Sequence, residues 1–126
     1  MKHELAKLPS IRAMSDNIYD PVWSENLHES ANFELLHVMA GHFELTYADG
    51  RCFPAGPGDT LLTPPGMSHR DRFEMEQELE IFLVQFTWDA DRAVTDRYGN
   101  GWLRRQSAED RRLLRNFFDL LRLETA

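Results

Sequence analysis

Between residues 33 and 88 apolar and polar side chains mostly alternate, the two-residue period of β-strands, and only after Ser107 does a helical period take over. From Phe33 to Ala40 both alternating sets are largely apolar, which predicts a strand covered on both faces. Gly41 ends that strand, and His42 to Tyr47 predicts another with one wetter face. Asp49-Gly50 is a hairpin turn signal leading into Arg51 to Ala55. Gly56-Pro57-Gly58-Asp59 and Pro64-Pro65-Gly66 break the chain on either side of a short strand, Thr60 to Thr63. His69 to Met75 predicts a further strand. Leu79 to Trp88 predicts a long one, with Phe82, Val84, Phe86 and Trp88 on one face. Closely spaced antiparallel strands must close or stack to hide their edges, so the middle of the chain is expected to be mainly β, a jelly-roll barrel or a sandwich.

The flanks read differently. Residues 1–27 are punctuated by Pro9, Asn17, Asp20, Pro21 and Asn26 and read as an N-terminal arm or short edge strands. Residues 28–88 form the barrel core, 89–106 a linker, and 107–126 a C-terminal α-helix, all within one domain. Ser107 stands at the N-cap, Glu109 and Asp110 fall in the first turn, and Leu113, Leu114, Phe117, Phe118, Leu120, Leu121 and Leu123 follow at helical spacing. That apolar surface is wider than one stripe. Leu114, Phe117, Phe118 and Leu121 are therefore candidates for contact with a second subunit as well as with the barrel.

Composition narrows the function. The 126 residues are 42% hydrophobic with a formal net charge of -7, which suits one soluble-type domain and argues against a surface that coats phosphates. The six arginines after Gly101 are read as the solvated face of the C-terminal helix, without DNA contact. One cysteine, Cys52, excludes an internal disulfide and any paired-thiolate zinc site, and suits a reducing, cytoplasmic setting. The longest aliphatic run, Ile81 to Val84, is far too short for a membrane span, and no membrane partner is expected.

Three polar residues occupy places where apolar ones are expected: Glu34 in the doubly covered strand, His28 before it, and His69 after Pro64-Pro65-Gly66. Period two puts Glu34 on the inner face with Leu36 and Val38, where an ionised carboxylate needs partners, and His28 or His69 would serve. His28-Glu29-Ser30, three residues, Glu34, six residues and Gly41 form one motif; Gly58, Pro64-Pro65-Gly66 and His69 form another. Both resemble the paired motifs of the cupin superfamily. That resemblance implies a double-stranded β-helix, the cupin jelly-roll barrel, here followed by one or more C-terminal helices. Full-motif cupins hold a divalent metal through three His and one Glu. In this chain Ser30 stands at the second His position, Phe73 at the last Asn position, and no Gly lies six residues before His28. The remaining His28, Glu34 and His69 either contact a polar guest directly or form a reduced site for iron, manganese, zinc or nickel.

A further resemblance is to the N-terminal effector-binding domain of AraC-type transcription regulators. It rests on Glu34 to Gly41, Asp49-Gly50-Arg51, Gly56-Pro57-Gly58-Asp59, Pro64 to His69 and Gln85-Phe86-Thr87-Trp88. The resemblance implies a homodimer whose cavity takes a small-molecule effector, with DNA reached only through a helix-turn-helix part that this chain lacks. The alternative is a small metal-dependent cupin enzyme using a two-His one-Glu site. Trp23 is expected to pack with the arm or to close over the cavity mouth against a ligand. His37 is expected to be a core histidine satisfied by backbone, His3 and His42 to be exposed, Arg70 and Arg72 to point outward, and Cys52 to be a small apolar filler.

Overall fold

The computed structural model describes residues 9–20, 22–74 and 76–88, together with Ala108, Glu109, Arg112, Arg115, Asn116, Asp119 and Leu123. Among the described residues up to Trp88, seven strands and one short helix follow in chain order: β1 (Ser10–Ile18), α1 (Val22–Glu25), β2 (Phe33–Ala40), β3 (Phe43–Tyr47), β4 (Cys52–Ala55), β5 (Thr60–Thr63), β6 (His69–Arg72) and β7 (Glu80–Thr87). They make two antiparallel sheets, four-stranded in the order β1-β7-β2-β5 and three-stranded in the order β4-β3-β6. The expected mainly-β architecture is what forms. Strands β2 and β5 have the predicted limits, while β6 ends at Arg72, three residues before the predicted Met75.

Cross-strand partners share a face, so the registers state what each sheet presents to the other. On the larger sheet Glu34 pairs with Gln85 and Thr63, Leu36 with Leu83 and Leu61, and Val38 with Ile81. On the smaller sheet Leu45 pairs with Phe53 and Asp71, and Tyr47 with His69. Leu36, Val38, Phe43, Leu45, Leu61, Leu79 and Ile81 belong to one buried cluster, the core between the sheets. The interior is therefore graded. One end is aliphatic and the other carries Glu34, Gln85, Thr63, His69 and Asp71.

The opposite face of the larger sheet is apolar too. Phe82 and Val84 are buried there with Met14, Leu35, Met39 and Phe86 against them, as the alternation in the long strand predicts. Phe33 stacks on Phe86 with ring centroids 5.1 Å apart and meets Trp88 edge-on at 6.4 Å. On this face His37 is fully buried, and its Nδ1 meets the Thr60 hydroxyl at 2.8 Å. A side chain supplies the partner where backbone was expected, because β5 presents Thr60 directly across from His37.

The N-terminal part is more regular than its punctuation suggests: nine residues extend along β7 as the outer strand of the sheet. Its pattern is hard to see from sequence because an edge strand buries little, and most of its side chains are exposed. Asn17 and Asp20, typical turn residues, sit at the strand end. Helix α1 docks on β6, where Ser24 Oγ accepts the Phe73 N–H at 3.3 Å.

Glycines with positive φ shape two of the connections. Asp49-Gly50 makes the predicted hairpin, with Gly50 at φ +95° and its N–H bonded to the Tyr47 carbonyl at 3.0 Å. Gly41 joins the two sheets at φ +84° and lies against the Glu78 backbone. Beside it the Gln77 side chain pairs with the His42 backbone in both directions, at 3.0 and 3.2 Å. His42 itself is exposed. Cys52 is exposed as well, not the apolar filler expected, because the register of β4 turns Phe53 and Ala55 inward and Cys52 outward. Among the described residues its sulfur makes long contacts to Thr46 Oγ1 and the Gly50 carbonyl.

The described positions between 108 and 123 have helical backbone and are exposed. The dimerisation candidates Leu114, Phe117, Phe118 and Leu121 lie outside the described residues, as do His3 and the 89–106 linker. Among the described residues no helix is long and apolar enough to cross a membrane.

Candidate functional site

The polar end of the interior is assembled from five places in the chain: the loop carrying His28 and strands β2, β5, β6 and β7. Backbone bonds 2.8 Å long in both directions join His28 and His69 as an isolated antiparallel bridge. The Gly66 N–H donates to the Ser30 carbonyl at 2.9 Å, so Pro64-Pro65-Gly66 fastens the loop before β2 to the start of β6. This places the two imidazoles edge to face with centroids 4.3 Å apart. The six-residue separation of His28 and Glu34 thus has a structural meaning, since the intervening loop brings His28 across to the other sheet.

Each histidine is oriented by backbone. His69 Nδ1 donates to the Met67 carbonyl at 2.8 Å, which fixes the proton on Nδ1 and turns Nε2 inward. Tyr47 packs against the same ring at 5.9 Å. His28 Nε2 lies 3.4 Å from Asp71 Oδ2, while its Nδ1 faces the Asn26 carbonyl at 3.4 Å. The hydrogen bond to Asp71 raises the His28 pKa above its ordinary value, against an opposing desolvation.

Asp71 is the residue that sequence reasoning missed. It is buried, and among the described residues its Oδ1 has no hydrogen-bond partner. The signal lies in the alternation: with His69 facing inward, period two puts Asp71 on the same face. The arginines on either side, Arg70 and Arg72, mask it by giving the segment the look of a charged surface. Arg70 is half-buried and Arg72 exposed, pointing away from the interior as expected.

Glu34 faces inward with Leu36 and Val38. Its principal partner is Gln85 on β7, whose Nε2 donates to Oε2 at 2.8 Å; His69 Nε2 stands 4.0 Å from Oε1, beyond hydrogen-bond range. His28, His69 and Asp71 instead form the tight group, with one ligand atom from each lying within 4.8 Å of the others. Of the other expected ligand-binding residues, Leu36 and Val38 are fully buried core. The backbone of Trp23 lies in α1 and its side chain lies outside the described residues.

A cavity of about 270 Å³ opens beside this group. Asn17, Ile18 and Tyr19 form one wall at the end of β1, and His28, Glu34, Asp71 and Gln85 line it from the barrel. Burial, followed by the nearby Asp71 and Glu34 charges, pushes the Tyr19 phenol well above its usual pKa. Tyr47, buried beneath His69, is raised for the same leading reason, and among the described residues its hydroxyl has no hydrogen-bond partner. The lining offers hydrogen-bond acceptors, the His28 imidazole and the buried Asp71 carboxylate around one small space, with His69 packed behind His28.

A search of curated proteins returned no match. Among solved structures, the protein YhaK from Escherichia coli is similar at 18% identity and a TM-score of 0.52, with 63% of this chain covered. This chain spans 37% of the YhaK chain, and the likeness concerns the fold. A Cupin 2 conserved barrel domain protein from Salinispora arenicola is similar at 30% identity and a TM-score of 0.43, over 57% of this chain and 56% of that one. The family model for the AraC-like ligand binding domain matches residues 9–125. With nearly the whole chain inside that match and a two-sheet barrel bearing a polar cavity at one end, the chain belongs to the AraC-like ligand binding domain family.

Proposed function

We propose that this domain is the effector-sensing and dimerisation part of an AraC-type transcription regulator, and that its ligand occupies the cavity between β1 and the His28–His69–Asp71 group. The observation that carries this is the cavity itself, a small concave space with a few convergent polar groups beside an apolar core. Sensing needs no bond-making. It needs an occupant that prefers one arrangement of the walls. One wall is the end of β1, an edge strand paired on a single side to β7 among the described residues, so a ligand there bears on a margin of the sheet. In this reading the homodimer forms through Leu114, Phe117, Phe118 and Leu121, the protein works in the cytoplasm, and DNA is reached through a separate helix-turn-helix unit.

Thermal melts against a panel of sugars, aromatic acids and amines, with sedimentation equilibrium on the same preparation, test both parts. A ligand that binds only the folded state raises the melting temperature in a saturable way. Dissociation constants for self-association in the micromolar range or below are expected; a monomer at high concentration removes the dimerisation part.

A second reading has its own observation. His28, His69 and Asp71 converge within one ion's reach, and His69 donates its other ring nitrogen to a carbonyl, the usual support for a metal-ligating imidazole. The residues therefore fit a divalent ion such as iron, manganese, zinc or nickel, with Asp71 in the carboxylate role expected of Glu34. A bound ion there supplies Lewis acidity and open positions for substrate, as a metal-dependent cupin enzyme requires. Under this reading, elemental analysis of protein purified without chelator or metal affinity finds one ion per chain, lost in His69→Ala and in Asp71→Ala; metal-free protein defeats it.

A further inference from the structure

We propose that the cavity selects a small organic cation, an amine whose ammonium group seats against the Asp71 and Glu34 carboxylates. This rests on the effector reading of the same cavity and assigns its ligand class. Three carboxylates line the space, those of Glu34, Asp71 and Asp20, and among the described residues no lysine or arginine does. Acid clusters alone do not make a site, but Asp71 adds an independent fact: it is buried, and among the described residues Oδ1 has no hydrogen-bond partner. A buried carboxylate oxygen in that condition is costly unless something supplies a donor.

Glu34 presents a second acceptor. Gln85 holds Oε2, while Oε1 lies 4.0 Å from His69 with no hydrogen bond between them. An alkylammonium brings three donors and a positive charge, and bonds between charged partners are the strong ones. A neutral polyol brings donors and leaves the wall's charge uncompensated. Ile18 and Leu83 give the cavity an apolar side for a short carbon chain. At about 270 Å³ it lies below the range of drug-sized pockets, which limits the guest to a compact molecule.

The test is a set of thermal melts on the full chain with n-butylamine, 1,4-diaminobutane, 1,4-butanediol, glucose and manganese chloride, at matched ionic strength. A saturable upward shift is expected with at least one amine and none with the diol. The shift disappears in Asp71→Asn, which keeps the side-chain shape, and apparent affinity falls about tenfold in Glu34→Gln, a half-buried position that remains informative if the first variant does not fold. Equal stabilisation by the diol, an amine shift unchanged in both variants, no amine shift, or a shift with manganese alone overturns the inference. A saturable response to glucose without one to amines also overturns it, and leaves the effector reading standing.

Discussion

Leu45→Ala is expected to lower the unfolding free energy by about 3 kcal/mol, as Leu-to-Ala changes at fully buried sites do. Leu45 is completely inaccessible, at the middle of the central strand of the smaller sheet, and its side chain meets the aliphatic end of the interior. Truncation removes the transfer free energy of the lost carbons and leaves a void. Neighbours cannot fill it cheaply, because Phe53 and Asp71 are fixed beside it by strand register. For a domain of this size the loss corresponds to a fall in melting temperature of roughly 10 °C. Urea unfolding with an unchanged m-value measures it; a loss under about 1 kcal/mol shows that this end of the interior is not the close-packed core described.

Gly41→Ala is expected to cost about as much for a different reason. The residue has φ +84°, a conformation that penalises any side chain by roughly 1–2 kcal/mol. A Cβ there would sit 2.5 Å from the Glu78 carbonyl oxygen and 3.1 Å from the Leu79 Cα, both backbone atoms that cannot rotate away. Relief requires shifting the segment before β7, which the Gln77 clamp on His42 resists. A total of about 3 kcal/mol follows from strain plus displacement. Gly50→Ala is the contrasting control, with positive φ and open space around the added carbon, so only the conformational part of the loss remains. If both variants lose the same stability, contact with Glu78 contributes nothing.

The strands are legible in the sequence where both faces are buried. Phe33 to Ala40 and Thr60 to Thr63 carry the alternation and end at glycine or proline, so pattern and punctuation agree. Strand β1 is obscure because an exposed edge imposes no apolar rhythm, and Ser10, Arg12, Asp16 and Asn17 are compatible with loop or strand alike. Of the site, His28, Glu34 and His69 stand out as polar residues at anomalous places and through the cupin-like motifs. What sequence does not convey is the partnership among them. Glu34 joins Gln85 because β2 lies beside β7, a pairing of residues 51 apart, and Asp71 reaches His28 through a bridge made by backbone alone. Long-range register of this kind follows from closure of the barrel, and local pattern holds no record of it.

The interior's division into an aliphatic end and a polar end separates two selective pressures that many proteins must satisfy with the same atoms. Cohesion resides with Leu36, Val38, Leu45, Leu61 and Ile81, whereas Glu34, Asp71, Gln85 and His28 line the cavity, and under the proposed function discrimination among guests falls to them. Exchanges at the second group can therefore retune what is recognised while the scaffold keeps its resilience. A lineage built on such a vessel is free to diversify its chemical vocabulary, and a protein engineer can rewrite the same handful of positions without first rebuilding the shell.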